Sequence, residues 1–302
     1  MLNNFDELEE LVMGQSEPQK IAVIKAASEE TLESVFELAD QNILVPYLID
    51  EKEKLETLLS QMNLTDRTYH IIDAETDEEA AFKGVQLARE NDVQLIMKGD
   101  IQSGTLLKQV VNRESGIRKQ DVLSHISLLD TPNYPRLLAV TDGGMFLTPD
   151  VNQKAAIIEN ALEVMRALSY EKPKFAILSA AEVVQPKLQA SVEADELTKR
   201  FSTDQRCVVE GPISLDIALY PEIASAKNYP GKIQGDADVI VTPDIIAGNT
   251  LSKSIIYLAN GKMAGLIVGA KVPIILTSRV STKEEKRYSL LLALQMSHSA
   301  SK

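Results

Sequence analysis

Residues 21–50 read IAVIKAASEETLESVFELADQNILVPYLID. The apolar run 21–27 has the length of a buried strand, Ser28 and the glutamates after it break the run, and 44–50 form a second apolar run. Between them, 31–41 carry helical spacing. A strand, a helix and a strand in that order make a crossover unit, which sets the two strands parallel. The rhythm continues outward. EKEKLETLLSQM (51–62) has helical spacing, YHIIDA (69–74) is strand-like, and DEEAAFKGVQLARENDV (77–93) puts Ala81, Val85 and Ala88 on one helix face. VQLIMKG (93–99) then reads as a strand that ends in glycine.

A second series follows VTDGGMFLTPD (140–150), whose Gly-Gly and Thr-Pro-Asp interrupt the rhythm and predict a domain boundary near Asp150. It contains helices over 152–168, 191–201 and 249–260, and strands at FAILSAAE (175–182), CVVEGP (207–212), DVIVTPD (238–244) and MAGLIVGA (263–270). VPIIL (272–276) is one more strand, and a last helix is expected over roughly 282–298. The fold class is α/β. Open α/β sheets bind ligands outside the carboxyl ends of their strands, so the loops after 97, 140, 178, 242 and 276 are the places to search.

Lys and Arg number 31 against 44 Asp and Glu, a formal charge of -13, which opposes adhesion to nucleic acid or to an anionic membrane. The one cysteine, Cys207, excludes an intrachain disulfide and any CxxC motif. The start, MLNNFDELEELV, carries acids where a signal peptide carries a basic region, and no apolar run approaches the ~18 residues of a membrane helix. A cytoplasmic protein is expected. His70, His125 and His298 have no metal-ligand spacing and are read as surface or core residues, so no metal is expected. No GxGxxG follows the first strand, which argues against a nicotinamide cofactor, and no GxSxG elbow is present.

Three stretches carry candidate chemistry. MKGDIQSGTLLKQV (97–110) is a glycine-rich strand-to-helix turn of the kind that offers amides to a phosphate, with Lys98, Gly99, Ser103, Gly104, Thr105 and Lys108 as candidates. Gly99 and Gly104 have P-loop spacing, but Thr105 stands where that motif needs lysine, so the P-loop is rejected. A plain structural role, with Ser103 as helix N-cap, is the alternative. TPDIIAGNTLSKSIIY (242–257) ends a strand at Asp244, and Gly248 is read as a positive-φ position. Asn249, Thr250 and Lys253 are candidates for a shared ligand, with Asn249 or Thr250 as the cap in the structural alternative. In TSRVSTKEEKRYS (277–289), Ser278 and Arg279 leave a buried strand with a hydroxyl and a guanidinium, the chemistry of an anion site. Ser281-x-x-Glu284 fits a capping box.

Together with TDGGMFLTPDVNQKAAIIENAL, VEGPISLDIAL and GAKVPIILTSRVSTKEEKRYSLLLAL, these stretches resemble the phosphate acetyl/butyryltransferase family from about residue 95 to the C-terminus. The resemblance implies two α/β domains of the isocitrate/isopropylmalate-dehydrogenase-like type with the active site in the cleft between them. Domain one would then be discontinuous, 1–149 plus 271–302, and domain two would be 150–270. It also implies transfer of an acyl group between CoA and phosphate by direct attack in a ternary complex, CoA being a substrate and no cofactor being needed. The catalytic residues implied are Ser278, Arg279 and Glu285, the last standing where the family has aspartate. An arginine of the acetyl members falls nearest Lys108. The wording of GNTL and TSR is closer to the butyryl or branched-chain members, and a homo-oligomer is expected. Phosphate acetyltransfer, a dehydrogenase-like enzyme and a phosphometabolite-binding module on the same fold are the alternatives.

Overall fold

The computed structural model describes residues 2–15, 17–277 and 281–300, which divide into a first unit (8–121 and 264–302) and a second unit (1–7 and 122–263). In chain order the first stretch holds α1 (Phe5–Met13), β1 (Gln19–Ile24), α2 (Glu29–Ala39), β2 (Leu44–Asp50), α3 (Lys52–Gln61), β3 (His70–Asp73), α4 (Asp77–Glu90), β4 (Leu95–Lys98) and α5 (Ser103–Val110). The second unit adds β5 (Ser124–Asp130), β6 (Leu138–Thr141), α6 (Val151–Ala167), β7 (Lys174–Leu178), α7 (Gln189–Arg200) and β8 (Val208–Ile213). It continues through α8 (Leu215–Leu219), α9 (Pro221–Ala226), β9 (Val239–Val241) and α10 (Ile245–Leu258). β10 (Lys262–Val268) brings the chain back to the first unit, which closes with β11 (Ile274–Ile275) and α11 (Lys283–Ala300).

In the first unit the strands lie in the order β3-β2-β1-β4-β11-β10, all parallel except β10 against β11. The crossover expected from residues 21–50 is therefore present as β1-α2-β2, with Ile24 opposite Ile49. Register decides what the sheet presents at its carboxyl edge. Ile24 pairs with Lys98 and Ile275 with Met97, so Lys25, Gly99 and Thr277 all leave at one level. In the second unit the order is β5-β6-β9-β7-β8, with β5 antiparallel to β6 and the rest parallel. Thr141, Val241 and Ile177 are in register there, so Asp142 and Thr242 leave side by side.

The division differs from the boundaries read off the sequence. It falls at 121/122 because β5 and β6 pair with each other and β6 bonds to β9. It falls again at 263/264 because Ile267 of β10 pairs with Ile274 of β11. The break near Asp150 is a local helix start. The Asp150 carboxylate accepts from the amides of Asn152 and Gln153 at 2.8 Å, and the Gln153 side chain accepts the Asp150 amide at 2.8 Å. That closed capping box begins α6.

The last helix belongs to the first unit. Its Ser289 hydroxyl accepts from the Gly265 amide at 2.9 Å and donates to the Glu285 carbonyl at 2.7 Å. Lys286 reaches Glu30 at 2.8 Å, and Arg287, a largely buried guanidinium, joins Glu9 at 2.5 Å and Glu37 at 2.7 Å. One fork thus holds α1, α2 and α11 together. Replacing Arg287 with Ala leaves two carboxylates facing an emptied site, and a loss of about 1.5–3 kcal/mol is expected, the range of charge-assisted hydrogen bonds. Urea unfolding checks this, and an unchanged midpoint would contradict it.

Candidate active site

At the carboxyl edge of the first sheet the chain turns sharply after β1 and β4. Lys25 takes φ 55° and is buried. Its ammonium meets Asp50 at 2.5 Å and Glu51 at 3.8 Å. Burial disfavours that charge, but the hydrogen bond and charge of Asp50, helped by Glu51 and Asp77, outweigh it and raise the Lys25 pKa. The Asp50 carboxylate also accepts the amides of Ala27 and Glu51, each at 2.9 Å, and so ties the β1 and β2 exits together. Gly99 is required by proximity: a Cβ there would lie 2.1 Å from the Lys25 carbonyl oxygen. Lys98 is buried, with Nζ 3.1 Å from the Gly99 carbonyl.

The α5 N-cap is Gln102, not Ser103, because the amides of Thr105 and Leu106 bond to the Gln102 carbonyl. Ser103 is the first helical residue and is exposed, as are Gly104 and Lys108, while Thr105 is half-buried. Nothing stands within 4 Å of a Cβ built on Gly104. Open space over a helix start leaves amides accessible, the condition for anion binding.

Ser278 and Arg279 lie outside the described residues. Downstream, α11 starts one residue later than the sequence suggests: the Glu285 amide donates to the Thr282 hydroxyl at 3.1 Å and the Lys286 amide to the Thr282 carbonyl. Thr282 is thus the cap in place of Ser281, and Glu285 occupies the third helical position that Glu284 was expected to hold. Glu284 is exposed and Glu285 half-buried.

The carboxyl edge of the second sheet carries the other candidates. Asp142, buried to 2% exposure, accepts from the amides of His125 (3.1 Å), Gly144 (2.8 Å) and Met145 (2.8 Å). The Gly143–Gly144 turn that it folds is pressed from both sides. A Cβ on Gly143 would lie 2.9 Å from the Gly248 carbonyl carbon, and one on Gly144 would lie 2.8 Å from the His125 ring. Gly248 has no positive φ. It is needed because its Cβ would meet the Asp142 carbonyl at 2.7 Å and Gly143 Cα at 2.8 Å. Asp244 caps α10 by accepting the Ala247 amide at 2.9 Å, so Asn249 and Thr250 are inside the helix and do not cap it. The Asn249 side chain donates to the Gly143 carbonyl at 3.2 Å. Lys253, exposed one turn on, shares that face, and Thr250 points about 100° away.

The residues singled out in the sequence thus form two groups. Lys98, Gly99, Ser103, Gly104, Thr105 and Lys108 line the β4–α5 turn of the first unit, and Asp244 and Asn249 join the Asp142–Gly144 turn of the second. The Lys25–Asp50 pair and the Asp142 carboxylate were not singled out. Asp142 had a signal, the Thr-Asp-Gly-Gly of a strand exit, whereas the Lys25–Asp50 pair joins residues from two strands and has none.

An open helix start and polar strand exits thus lie at the carboxyl edges of two α/β sheets, where such folds bind ligands. Residues 78–294 match the model for phosphate acetyl/butaryl transferase, and the chain belongs to that family. It is 38% identical over 277 residues to a probable phosphate butyryltransferase of Bacillus subtilis, covering 91% of this chain and 92% of that one. A phosphate acetyltransferase of Thermotoga maritima is 33% identical over 289 residues, covering 95% of this chain and 98% of the relative. A branched-chain phosphotransacylase from Enterococcus faecalis superposes with a TM-score of 0.85 at 34% identity, over 93% of this chain and 99% of the other. A putative 4-hydroxythreonine-4-phosphate dehydrogenase from Salmonella typhimurium shares the fold at TM-score 0.58 and 14% identity, over 92% of this chain and 99% of the other. The protein is accordingly a phosphate acyltransferase on a dehydrogenase-like α/β fold.

The two glycines of the β4–α5 turn should respond oppositely to alanine. Gly99→Ala forces a methyl group onto the backbone of Lys25 and should cost about 1–3 kcal/mol or more. Gly104→Ala enters open space in a helix and should be neutral or stabilising by up to about 1 kcal/mol. Thermal melts of the two variants check the pair, and equal destabilisation would refute the assignment of strain to Gly99 alone.

Proposed function

We propose that the protein converts acyl-CoA and phosphate to acyl phosphate and CoA, and the reverse, with butyryl or branched short-chain acyl groups, by direct attack of one bound substrate on the other. The observation that carries this is the common register of β4 and β11, which brings the glycine turn at Gly99–Thr105 and the segment entering Ser278 to one sheet edge. Phosphate is held by the Ser103 and Gly104 amides at the start of α5, with Lys98 and Lys108 supplying positive charge and Ser103 and Thr105 hydroxyls. Asn249 and Lys253 serve the CoA substrate from one face of α10, which Asp244 caps, while Thr250 lies off that face. Arg279 and Ser278 stabilise the oxygen on which negative charge develops. Glu285 accepts the thiol proton when CoA is the nucleophile.

Cys207 supports direct attack. It is 2% exposed, and burial, foremost, pushes its thiol pKa up to about 11, so the chain's single thiol stays protonated and unreactive at neutral pH. The scheme needs no added metal, NAD or ATP, and turnover is expected to survive chelation. Self-association is also part of the proposal: Ile246, Tyr257 and Leu258 of α10 are 74%, 71% and 83% exposed, an apolar surface suited to a second copy. A cytoplasmic location follows from the substrates.

Phosphate-dependent release of thiol from butyryl-CoA, isobutyryl-CoA and acetyl-CoA tests the assignment, with the two four-carbon substrates expected to give the higher kcat/KM. Best turnover of acetyl-CoA would move the protein to the acetyl side of the family. Arg279→Ala should lower kcat by about 10²-fold or more with little change in Tm. Glu285→Gln should lower it by about 10²–10⁴-fold. Thr282→Ala should cost about 1 kcal/mol of stability through the lost cap. Glu284→Ala should alter neither stability nor rate, and a rate loss there with none at Glu285 would reassign the base.

A further inference from the structure

The second residue of β5 is a histidine that none of these roles uses. His125 is fixed at three points: its amide donates to Asp142 at 3.1 Å, its carbonyl accepts from the Thr141 hydroxyl at 2.8 Å, and its ring abuts Gly144. Its Nδ1 is sealed from solvent and has no hydrogen-bond partner. The ring is not wholly covered, and Nε2 is neither sealed nor bonded to any described residue. Nε2 is therefore the ring nitrogen with access to solvent, at the carboxyl edge of the second sheet.

Two steps lead from this geometry to a role. A buried N–H with no acceptor is rarer and costlier than a bare lone pair, so the proton sits on Nε2 and the exposed nitrogen is a donor. Burial lowers the ring's pKa against the opposing pull of the Asp142 charge, so the donor is neutral. The nearby Asp142 carboxylate disfavours a phosphate dianion at this point, while an uncharged carbonyl pays no such repulsion. We propose that His125 Nε2–H donates a hydrogen bond to a carbonyl oxygen of the acyl-CoA substrate, the thioester or a pantetheine amide; this rests on the acyl transfer proposed above.

Three variants at His125, with rates measured in both directions, test it. In His125→Gln the side-chain amide can put an N–H near the place of Nε2, in His125→Asn only near that of Nδ1, and His125→Phe keeps the packing on Gly144 with no donor. His125→Gln is expected to stay within a fewfold of wild type, and the other two are expected to be impaired. A thioester contact lowers kcat by about 10²-fold, the usual worth of one oxyanion donor. A pantetheine contact instead raises KM about tenfold for both acyl-CoA and CoA at nearly constant kcat. In ¹⁵N-histidine spectra of the wild type the Nε2-protonated tautomer is expected, with its signal moving on saturation with CoA or acyl-CoA. A fully active His125→Phe, rescue by Asn but not Gln, or an Nδ1-protonated ring would each overturn the inference. If Phe or Asn prevents folding, the Gln variant and the tautomer still decide it. Wild-type enzyme that lacks phosphate-dependent thiol release overturns the acyl-transfer proposal and this inference with it, whereas active wild type with an indifferent His125→Phe overturns the inference alone.

Discussion

The second unit depends on one buried carboxylate. Asp142 takes three backbone amides, from His125, Gly144 and Met145, and so folds the turn where β6 ends. A carboxylate buried to this degree is tolerable only when its lone pairs are met by donors. The amides meet them and force the turn to be tight. Tightness brings Gly143 against Gly248, and no side chain fits at either place. Three glycines let the turn, the α10 backbone at Gly248 and the His125 ring pack together around that carboxylate.

The first unit solves the same problem with a pair. Lys25 and Asp50 are both buried, and Asp50 spends its remaining oxygen capacity on the amides of Ala27 and Glu51. The price of such a pair in desolvation is high, and removing either partner would leave the other charge buried alone. What it secures is local geometry. With the β1 exit held against β2, the Lys25 carbonyl lies where only a glycine at 99 can pass, and the β4–α5 turn ends at the Ser103 and Gly104 amides, with open space over Gly104. The edge that presents those amides also receives the chain leaving β11, and α11 is anchored below by Arg287 and Ser289. In both units the polar strand exits sit on a buried, hydrogen-bonded support, the kind of scaffold that catalysis by positioning uses.

Much of this was legible in the residues. β2 is Leu44–Asp50, as its apolar run indicates, and the helices α6, α10 and α11 lie within a few residues of where periodicity puts them. The strands β5 and β6 were not assigned: SHISLLD and LAVT are almost wholly buried, so neither shows alternation, and they sit in a stretch rich in turn residues. Helix starts were displaced for a common reason. Ser103, Asn249 and Ser281 are good caps by residue type, but Gln102, Asp244 and Thr282 hold the position, because the cap is chosen by where the preceding strand releases the chain. Gly248 was read as a conformational glycine and is a steric one, a distinction visible only with the neighbouring turn in place. Buried charges such as Lys25 leave no periodic trace, since their partners come from other strands.

Isotope exchange distinguishes direct transfer between two bound substrates from transfer through an acylated protein. The protein should be incubated with butyryl phosphate and radiolabelled inorganic phosphate, with and without CoA. An acyl-enzyme would release phosphate before CoA binds and would therefore move label into butyryl phosphate in the absence of CoA. Direct transfer gives exchange only when CoA is present. Label incorporation without CoA, at a rate comparable to turnover, would contradict it and place a covalent acyl group on the protein.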